Sequence, residues 1–282
     1  MKSPLPALFL HGGAGTKAPA ERTKAVRARL RDISEESYRK LRKEGALKAV
    51  VLAVRLMEDD PLFNAGTGSV LQADGQARMS ASVMDGPKRR FAGVINIEEV
   101  RNPILIAASL LDKPDRILSG REATLLARKL GHPAWNPVTP EKLQQWKKNQ
   151  RLPHGTVGAV AADHRGRLAA ATSTGGKLGA TPGRVSDSGI PPGNYADTLT
   201  AISCTGLGEE IVEESLAVRI AQKAEDGSRL AEAFRDIFRQ MKKRRRQAGA
   251  IAVSREGELV WDTLLPRLYA VGMNSARRVE TF

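Results

Sequence analysis

Threonine is the residue type in this sequence whose position could do chemistry. Thr156 follows Gly155 and stands at the first position of an apolar run that predicts a buried strand. A threonine hydroxyl is a poor nucleophile unless a base takes its proton, and an N-terminal threonine can use its own α-amine as that base. Thr156 has such an amine only if the Gly155–Thr156 bond is cut. Taken alone, a Gly-Thr pair before a strand is most often ordinary structure.

Other familiar catalytic patterns do not occur in the sequence. The glycine-rich segment 11–17 lacks the spacing of a phosphate-binding loop, and no nucleophile elbow is present. The four histidines have no paired metal-binding spacing, and Cys204 has no second cysteine beside it. The histidines are His11, His132, His154 and His164. A zinc site is therefore not expected.

The charge balance first points to nucleic acid. The 282 residues carry 45 Lys and Arg against 31 Asp and Glu, a formal net charge of +14. The most basic run, Lys242–Arg246, ends a predicted helix, where cations also interact favourably with the helix dipole. Only three Trp and three Tyr are present, and none alternates with this run to stack on bases. We expect a basic surface, and an inactive nucleic-acid-binding protein remains the alternative.

Composition also bears on the compartment. The apolar runs are shorter than the roughly 20 residues that a membrane-spanning helix needs, so no membrane partner is expected. A single cysteine cannot form an internal disulfide, which is typical of reducing compartments. We therefore expect a cytoplasmic protein.

The elements around Thr156 are predicted from hydrophobic periodicity and turn residues. Strands are predicted at 5–10 (leading into a glycine loop at 11–15), 77–84, 90–97, 156–162, 167–173, 250–254, 258–263 and 267–272. Helices are predicted at 19–43, 47–56, 103–129 (punctuated by Gly120), 209–226 and 228–246, and the proline-flanked segment 131–153 is a surface linker or frayed helix. This order favours an α+β fold in which helices cover a sheet sandwich.

Several further motifs occur in an order and spacing that resemble one family. They are GTVGAVA at 155–161, ATSTGG at 171–176, GRVSDS at 183–188, Tyr195-Ala196, SCTGLGE at 203–209, HGGAG at 11–15, PLFNAGTGSVL at 61–71, MDG at 84–86 and RNPI at 101–104. The sequence thus resembles the plant-type L-asparaginases with isoaspartyl aminopeptidase activity, which are N-terminal-nucleophile hydrolases. The resemblance covers roughly residues 7–210. It implies a four-layer αββα sandwich and a single domain, 1–282, that cuts itself into chains 1–155 and 156–282.

The resemblance also implies roles for individual residues. Thr156 would attack the side-chain amide of L-asparagine, or the β-linked bond of an isoaspartyl dipeptide. The other expected site residues are Thr174 and Asn64 beside the nucleophile, Thr205 and Gly206 as the oxyanion hole, Arg184, Asp187, Gly206 and Gly208 for substrate binding, and Gly12, Gly13 and Gly155 for autocleavage. For Arg184 and Asp187, a local salt bridge is the other interpretation. Asn64 could equally form an Asx turn before Gly66.

By the same resemblance no cofactor takes part in catalysis, and a structural sodium ion is expected near the site. Its ligands would be the backbone carbonyls of Met57, Glu58, Asp60, Phe63, Ala65 and Thr67. The family assembles as a homodimer of processed αβ units, and neither nucleic acid nor a membrane is an expected partner.

The sequence departs from the family pattern at several places. Ser186 replaces a glycine, Pro191-Pro192-Gly193-Asn194 replaces a Gly-Ala-Gly turn, the segment before Thr156 is short, and the usual Gly-Met-Tyr-Arg ending is missing near 261–273. Glycosylasparaginase is the nearest alternative enzyme, but that group tends toward TGNGD and TSTNG. This chain has Thr205–Glu209 as TGLGE and Thr172–Gly176 as TSTGG, which favours the asparaginase and isoaspartyl peptidase group.

Overall fold

The computed structural model describes residues 5–15, 19–148 and 155–282, which form an α+β fold. The strands are β1 (Ala7–Gly15), β2 (Met79–Asp85), β3 (Arg90–Ile97), β4 (Ile117–Ser119), β5 (Val157–Ala162), β6 (Leu168–Thr174), β7 (Asn194–Ala196), β8 (Thr200–Gly206), β9 (Ala248–Ser254), β10 (Leu259–Thr263), β11 (Arg267–Asn274) and β12 (Arg278–Thr281). The α-helices are α1 (Ala20–Glu44), α2 (Ala46–Glu58), α3 (Pro103–Ser109), α4 (Gly120–Lys129), α5 (Pro140–Lys147), α6 (Gly208–Glu214), α7 (Leu216–Glu225) and α8 (Leu230–Lys243).

Thr156 leads directly into the middle of the larger of two sheets. That sheet has eight strands in the order β12-β11-β1-β5-β6-β2-β3-β4, antiparallel except for the β3–β4 pair. β5 is buried at all six positions, as a strand covered on both faces must be. The smaller sheet has the order β10-β9-β8-β7 and is antiparallel throughout.

Three apolar clusters hold these elements together. One packs α1 to α4 on the large sheet, a second packs α6 to α8 on the small sheet, and a third contains residues of both sheets, among them Phe9, Val160 and Ile251. Helix α2 illustrates how the sequence produces this packing. It buries Ala49, Val50, Ala53, Val54 and Met57, the spacing of one helical face, and it ends before Pro61.

Most of the predicted elements are confirmed, and the exceptions have local causes. The predicted helix over 103–129 is wrong, since α3 ends at Ser109 and β4 intervenes before Gly120, whose φ of +55° starts α4. The helical character predicted over 209–226 is confirmed, but not its continuity, because Ser215 adopts a left-handed conformation and divides the segment into α6 and α7. The expected glycine loop at 11–15 continues β1 instead, with a register shift between His11 and Ala14 and a φ of +110° at Gly13.

Four strands escaped prediction, β4, β7, β8 and β12, and the proline-flanked segment contains a regular helix, α5. Residues 149–154, which include Pro153 and His154, lie outside the described part of the chain. The same holds for Lys17 of the glycine-rich segment.

The basic run at the end of α8 contacts acidic side chains of α6. Arg244 lies 2.6 Å from the Glu214 carboxylate, and Arg246 lies 2.7 Å from that of Glu213. Part of the positive charge of this run is thus paired with carboxylates within the fold. Across the described residues, every helix is too short or too polar to cross a bilayer.

Gly158 in β5 provides a test of this packing. A Cβ there would lie 2.0 Å from Ser203 Oγ and 2.3 Å from His11 Nε2, so these side chains or the strand would have to move. We expect Gly158→Ala to lower the free energy of unfolding by about 3 kcal/mol through overpacking. Gly120→Ala is the control, because a Cβ there meets nothing within 4 Å and costs only about 1 kcal/mol of backbone strain. Urea unfolding measures both, and equal losses would contradict this account.

Candidate active site

The Thr156 hydroxyl lies opposite the end of β6. Val157 pairs with Ser173, which brings Thr156 beside Thr174, and the Thr156 hydroxyl donates to Thr174 Oγ1 over 3.3 Å. Thr174 Oγ1 also accepts the Gly176 N–H at 3.0 Å. Both threonines are buried, with Thr156 7% exposed. The hairpin therefore brings two hydroxyl groups together at the end of a cleft.

Gly155, which precedes Thr156 at the Gly155–Thr156 peptide bond, lies against Asn64 and Gly12. A Cβ at Gly155 would stand 3.3 Å from Asn64 Cβ and 3.9 Å from the Gly12 carbonyl oxygen. The Asn64 side chain does not close an Asx turn at Gly66. Its amide nitrogen donates to the Gly176 carbonyl at 2.8 Å, and its oxygen accepts the Val70 N–H at 2.9 Å.

Thr205 lies at the end of β8, facing β1. Its hydroxyl oxygen accepts the Ala14 N–H at 3.2 Å, which leaves the hydroxyl proton free to be donated elsewhere. The side chain is fully buried. Its neighbour Gly206 has a φ of +140° and lines the cleft, whereas Thr205 itself is not among the lining residues.

The cleft at Thr156 is small and polar, with an empty volume of about 280 Å³ that includes solvent at its mouth. Ten residues line it: Thr156, Thr174, Gly176, Lys177, Arg184, Ser186, Asp187, Gly206, Leu207 and Gly208. Of the expected substrate-binding residues, Arg184, Asp187, Gly206 and Gly208 are all present. Gly176, Lys177, Ser186 and Leu207 line the cleft without having been expected to do so. The segment 191–194 is not part of its wall.

Arg184 forms an ion pair with Glu209 and not with Asp187, the partner considered from the sequence. Its Nε and Nη2 donate to the two carboxylate oxygens of Glu209 at 2.7 and 2.9 Å. This bidentate contact fixes the plane of the guanidinium and lowers the pKa of Glu209 to about 2. Since Asp187 has no ion pair in the described residues, the local Arg184–Asp187 salt bridge is wrong.

Asp187 lies beside that guanidinium in a buried position. A Cβ on Gly208 would be 2.7 Å from both Arg184 Nη2 and Asp187 Oδ1, so the two groups converge on this glycine. The other carboxylate oxygen, Oδ2, has no hydrogen-bond partner among the described residues. Burial raises the pKa of Asp187 to about 7, and the charge of Arg184 opposes this only in part. Oδ2 lies toward Gly193, where a Cβ would be 2.6 Å from it, and Oδ1 is the carboxylate oxygen beside the cleft-lining Gly208.

A buried polar chain runs behind β5, and no sequence motif had indicated it. His11 Nε2 lies 2.8 Å from Ser203 Oγ, which lies 2.7 Å from Thr172 Oγ1, whose hydroxyl donates to Asn194 Oδ1 at 3.0 Å. Burial lowers the pKa of His11 to about 3, against a smaller opposing contribution from the Thr156 backbone. His11 is therefore neutral at physiological pH. This chain links strands of both sheets beneath Thr156.

The loop after α2 curls so that several backbone oxygens come close together. Gly66 approaches the Glu58 carbonyl so closely that a Cβ would lie 2.4 Å away, and one on Gly68 would lie 2.8 Å from the Phe63 carbonyl. The Glu58 carbonyl also accepts the Thr67 N–H at 2.7 Å. These close approaches, at glycines with positive φ, fit a small cation bound by carbonyl oxygens. The carbonyls of Asp60 and Ala65 belong to the same loop, and Met57 lies in the last turn of α2.

Comparison with known proteins gives a consistent result. A family model described as asparaginase matches residues 4–153 and 149–282. An isoaspartyl peptidase/L-asparaginase of Nostoc is 43% identical and aligns over 93% of this chain and 90% of its own length. The mouse isoaspartyl peptidase/L-asparaginase is 38% identical, with 90% and 83% covered. A plant-type L-asparaginase of Pyrococcus horikoshii is 38% identical, with 80% and 83% covered.

The buried carboxyl of Asp187 predicts a pH-dependent stability. Its pKa in the fold, about 7, lies above the unfolded value near 4, so the folded state holds a proton that the unfolded state has released. Wild-type stability should therefore fall as the pH rises from about 4 to 7, on the order of 1 kcal/mol per pH unit from this group. Urea unfolding of wild type and Asp187→Asn across this range measures the difference. Parallel curves for the two proteins would contradict the assignment.

Proposed function

Because the chain belongs to the asparaginase family, we propose that it is a self-processing amidohydrolase. Its substrates would be L-asparagine, at the side-chain amide, and isoaspartyl dipeptides, at the β-peptide bond. One observation carries this proposal. Thr156 directly precedes the central strand β5 and lies beside Thr174, in a cleft that also holds Arg184 and Asp187, whose Oδ2 has no hydrogen-bond partner among the described residues.

Self-processing would begin with Thr156 Oγ attacking the Gly155 carbonyl carbon. The peptide bond becomes an ester as the Thr156 nitrogen leaves, and water then cleaves the ester. One chain ends at the Gly155 carboxylate, and the other begins with the free α-amine of Thr156. The closeness of Gly155 to Asn64 and Gly12 supports a role for these residues in positioning the bond, and Gly13, next to Gly12, has a φ of +110° at the register shift of β1.

Turnover uses the new amine as the general base. The amine takes the Thr156 hydroxyl proton, the oxygen attacks the amide carbonyl, and negative charge develops on the carbonyl oxygen. The Thr205 hydroxyl and the Gly206 N–H would donate to that oxygen. In other enzymes each such donor stabilises the transition state by roughly 3–4 kcal/mol. The protonated amine returns its proton to the leaving ammonia or amino acid. Water then attacks the β-aspartyl ester and releases aspartate.

Substrate recognition needs one site for a carboxylate and one for an ammonium group. Arg184 supplies a guanidinium whose plane is already fixed by Glu209, which suits a bidentate carboxylate contact. Asp187 supplies the carboxyl for the ammonium. Gly208 keeps the two close, since no side chain intervenes where they converge.

The wider architecture supports further parts of the proposal. The three apolar clusters are those expected of a four-layer αββα sandwich forming one domain, 1–282, with chains 1–155 and 156–282 after cleavage. The curled loop 57–67 supports a structural sodium ion held by backbone carbonyls, which would fix the position of Asn64 and take no part in the chemistry. Assembly as a homodimer of αβ units and catalysis without a cofactor complete the proposal.

Autocleavage predicts two fragments from purified protein. Incubation should convert the 282-residue chain into two pieces, the second beginning Thr-Val-Gly, as N-terminal sequencing and intact mass would reveal. Thr156→Ala should remain uncut and lack amidase activity, because it has no nucleophile. Thr156→Ser keeps a hydroxyl and should be cut more slowly. Cleavage of the alanine variant at this bond, or amidase activity from an uncut chain, would contradict the mechanism.

The substrate-binding roles predict a separation of kinetic constants. Arg184→Lys keeps the charge but loses the bidentate geometry, so KM should rise roughly tenfold or more with a smaller change in kcat. In wild type, kcat/KM should fall as the pH drops below about 7, because Asp187 becomes protonated and no longer attracts the ammonium.

The matched control is Asp262→Asn, which removes another carboxyl whose pKa burial raises, but one outside the cleft. Asp187→Asn should lose this part of the pH dependence, and Asp262→Asn should keep it. The same pH profile in wild type and Asp187→Asn would exclude Asp187 as the ammonium site.

A further inference from the structure

Lys177 is a cation in the cleft that the proposed mechanism does not use. It follows Gly176 just beyond the end of β6, so it is three residues from Thr174, whose hydroxyl contacts that of Thr156. Lys177 is one of the ten residues that line the cleft, and it is half-buried. Within the described residues, its ammonium group forms neither an ion pair nor a hydrogen bond.

The other cation of the cleft already has a partner. Arg184 binds Glu209 through two hydrogen bonds, and its remaining capacity is assigned to the α-carboxylate of the aspartyl group. Lys177 lies near enough to Glu209 to help lower the pKa of that carboxyl, but it does not contact it directly. The cleft therefore has one more positive group than the aspartyl end of a substrate needs.

The charges of the two substrate types differ by one carboxylate. L-Asparagine carries one ammonium and one carboxylate, which Asp187 and Arg184 match. An isoaspartyl dipeptide carries a second carboxylate on the amino acid that leaves, two bonds beyond the nitrogen of the cleaved amide. An unpaired, half-buried lysine beside the nucleophile is the complementary charge for such a group.

We propose that Lys177 binds the carboxylate of the leaving amino acid and favours isoaspartyl dipeptides over asparagine. This inference rests on the proposed function, since it names a specificity residue for the same site. The contact is made by the part of the substrate that departs, so it strengthens binding of dipeptides without entering the chemistry at Thr156.

A different role for Lys177 gives a different outcome. If its charge served only to balance Glu209, its loss would disturb Arg184 and weaken every substrate equally. Discrimination between substrates with and without the second carboxylate therefore separates the two roles.

The experiment compares three substrates: β-aspartyl-alanine, the same dipeptide with its C-terminal carboxylate converted to an amide, and L-asparagine. Lys177→Met removes the charge at similar length, and Lys177→Arg retains it. Lys129→Met is the control, because Lys129 is an exposed lysine outside the cleft and its loss changes net charge by the same amount. All variants are assayed after processing, and kcat/KM is measured for each substrate.

We expect Lys177→Met to lower kcat/KM about tenfold on β-aspartyl-alanine and less than about twofold on the amide and asparagine. Lys177→Arg and Lys129→Met should each stay within about threefold of wild type on all three. An equal loss on the three substrates, or no loss on any, would overturn the role of Lys177 while leaving the amidohydrolase intact. A wild-type protein that hydrolyses none of them contradicts the proposed function itself, and the role of Lys177 with it.

Discussion

The pairing of β5 with β6 is the constraint on which the candidate site depends. It holds the Thr156 hydroxyl beside that of Thr174 and anchors the loop that carries Gly176 and Lys177. Both strands lie in the middle of an eight-stranded sheet and are buried throughout their length. A nucleophile at the end of a loop would need other restraints to reach the same precision. Here the backbone ladder itself supplies the alignment.

Glycines in β5 and just after β6 allow polar side chains to approach the two strands closely. Gly158 leaves room for His11 and Ser203, and Gly175 leaves room for the Asn64 oxygen, which a Cβ would meet at 2.5 Å. The polar chain from His11 to Asn194 is thereby linked through the hydroxyl groups of Ser203 and Thr172. Partly apolar surroundings keep His11 neutral and raise the pKa of Asp187. Glycines thus let polar side chains pack closely around the site, and burial shifts the pKa values of those that are titratable.

The sequence predicted those parts of the fold that depend on local patterns. The β5–β6 hairpin, helices α1, α2 and α8, and the β9–β10 hairpin follow from periodicity and turn residues. The division of 209–226 at Ser215 did not, because a left-handed serine has no sequence signature and is stabilised by its surroundings. At the site, motifs brought Arg184 and Asp187 to attention but could not reveal Glu209 as the ion-pair partner. That contact joins residues 25 apart, and only the approach of α6 to the 183–188 loop creates it. Lys177 and the His11 chain were missed for the same reason, since each depends on packing between distant segments.

The position of β1 determines what the proposed cleavage at Gly155 would do to the protein. β1 belongs to the segment before Gly155, yet it is hydrogen-bonded between β5 and β11, which both follow Thr156. Likewise β2 pairs with β6 across the same division. Cleavage would leave two chains interleaved strand by strand, so neither could depart without opening the sheet. Folding would then be a one-chain event and unfolding would yield two molecules, which makes the stability of the processed protein depend on its concentration. The peptide bond at Gly155 would thus be required to build the fold and not to maintain it.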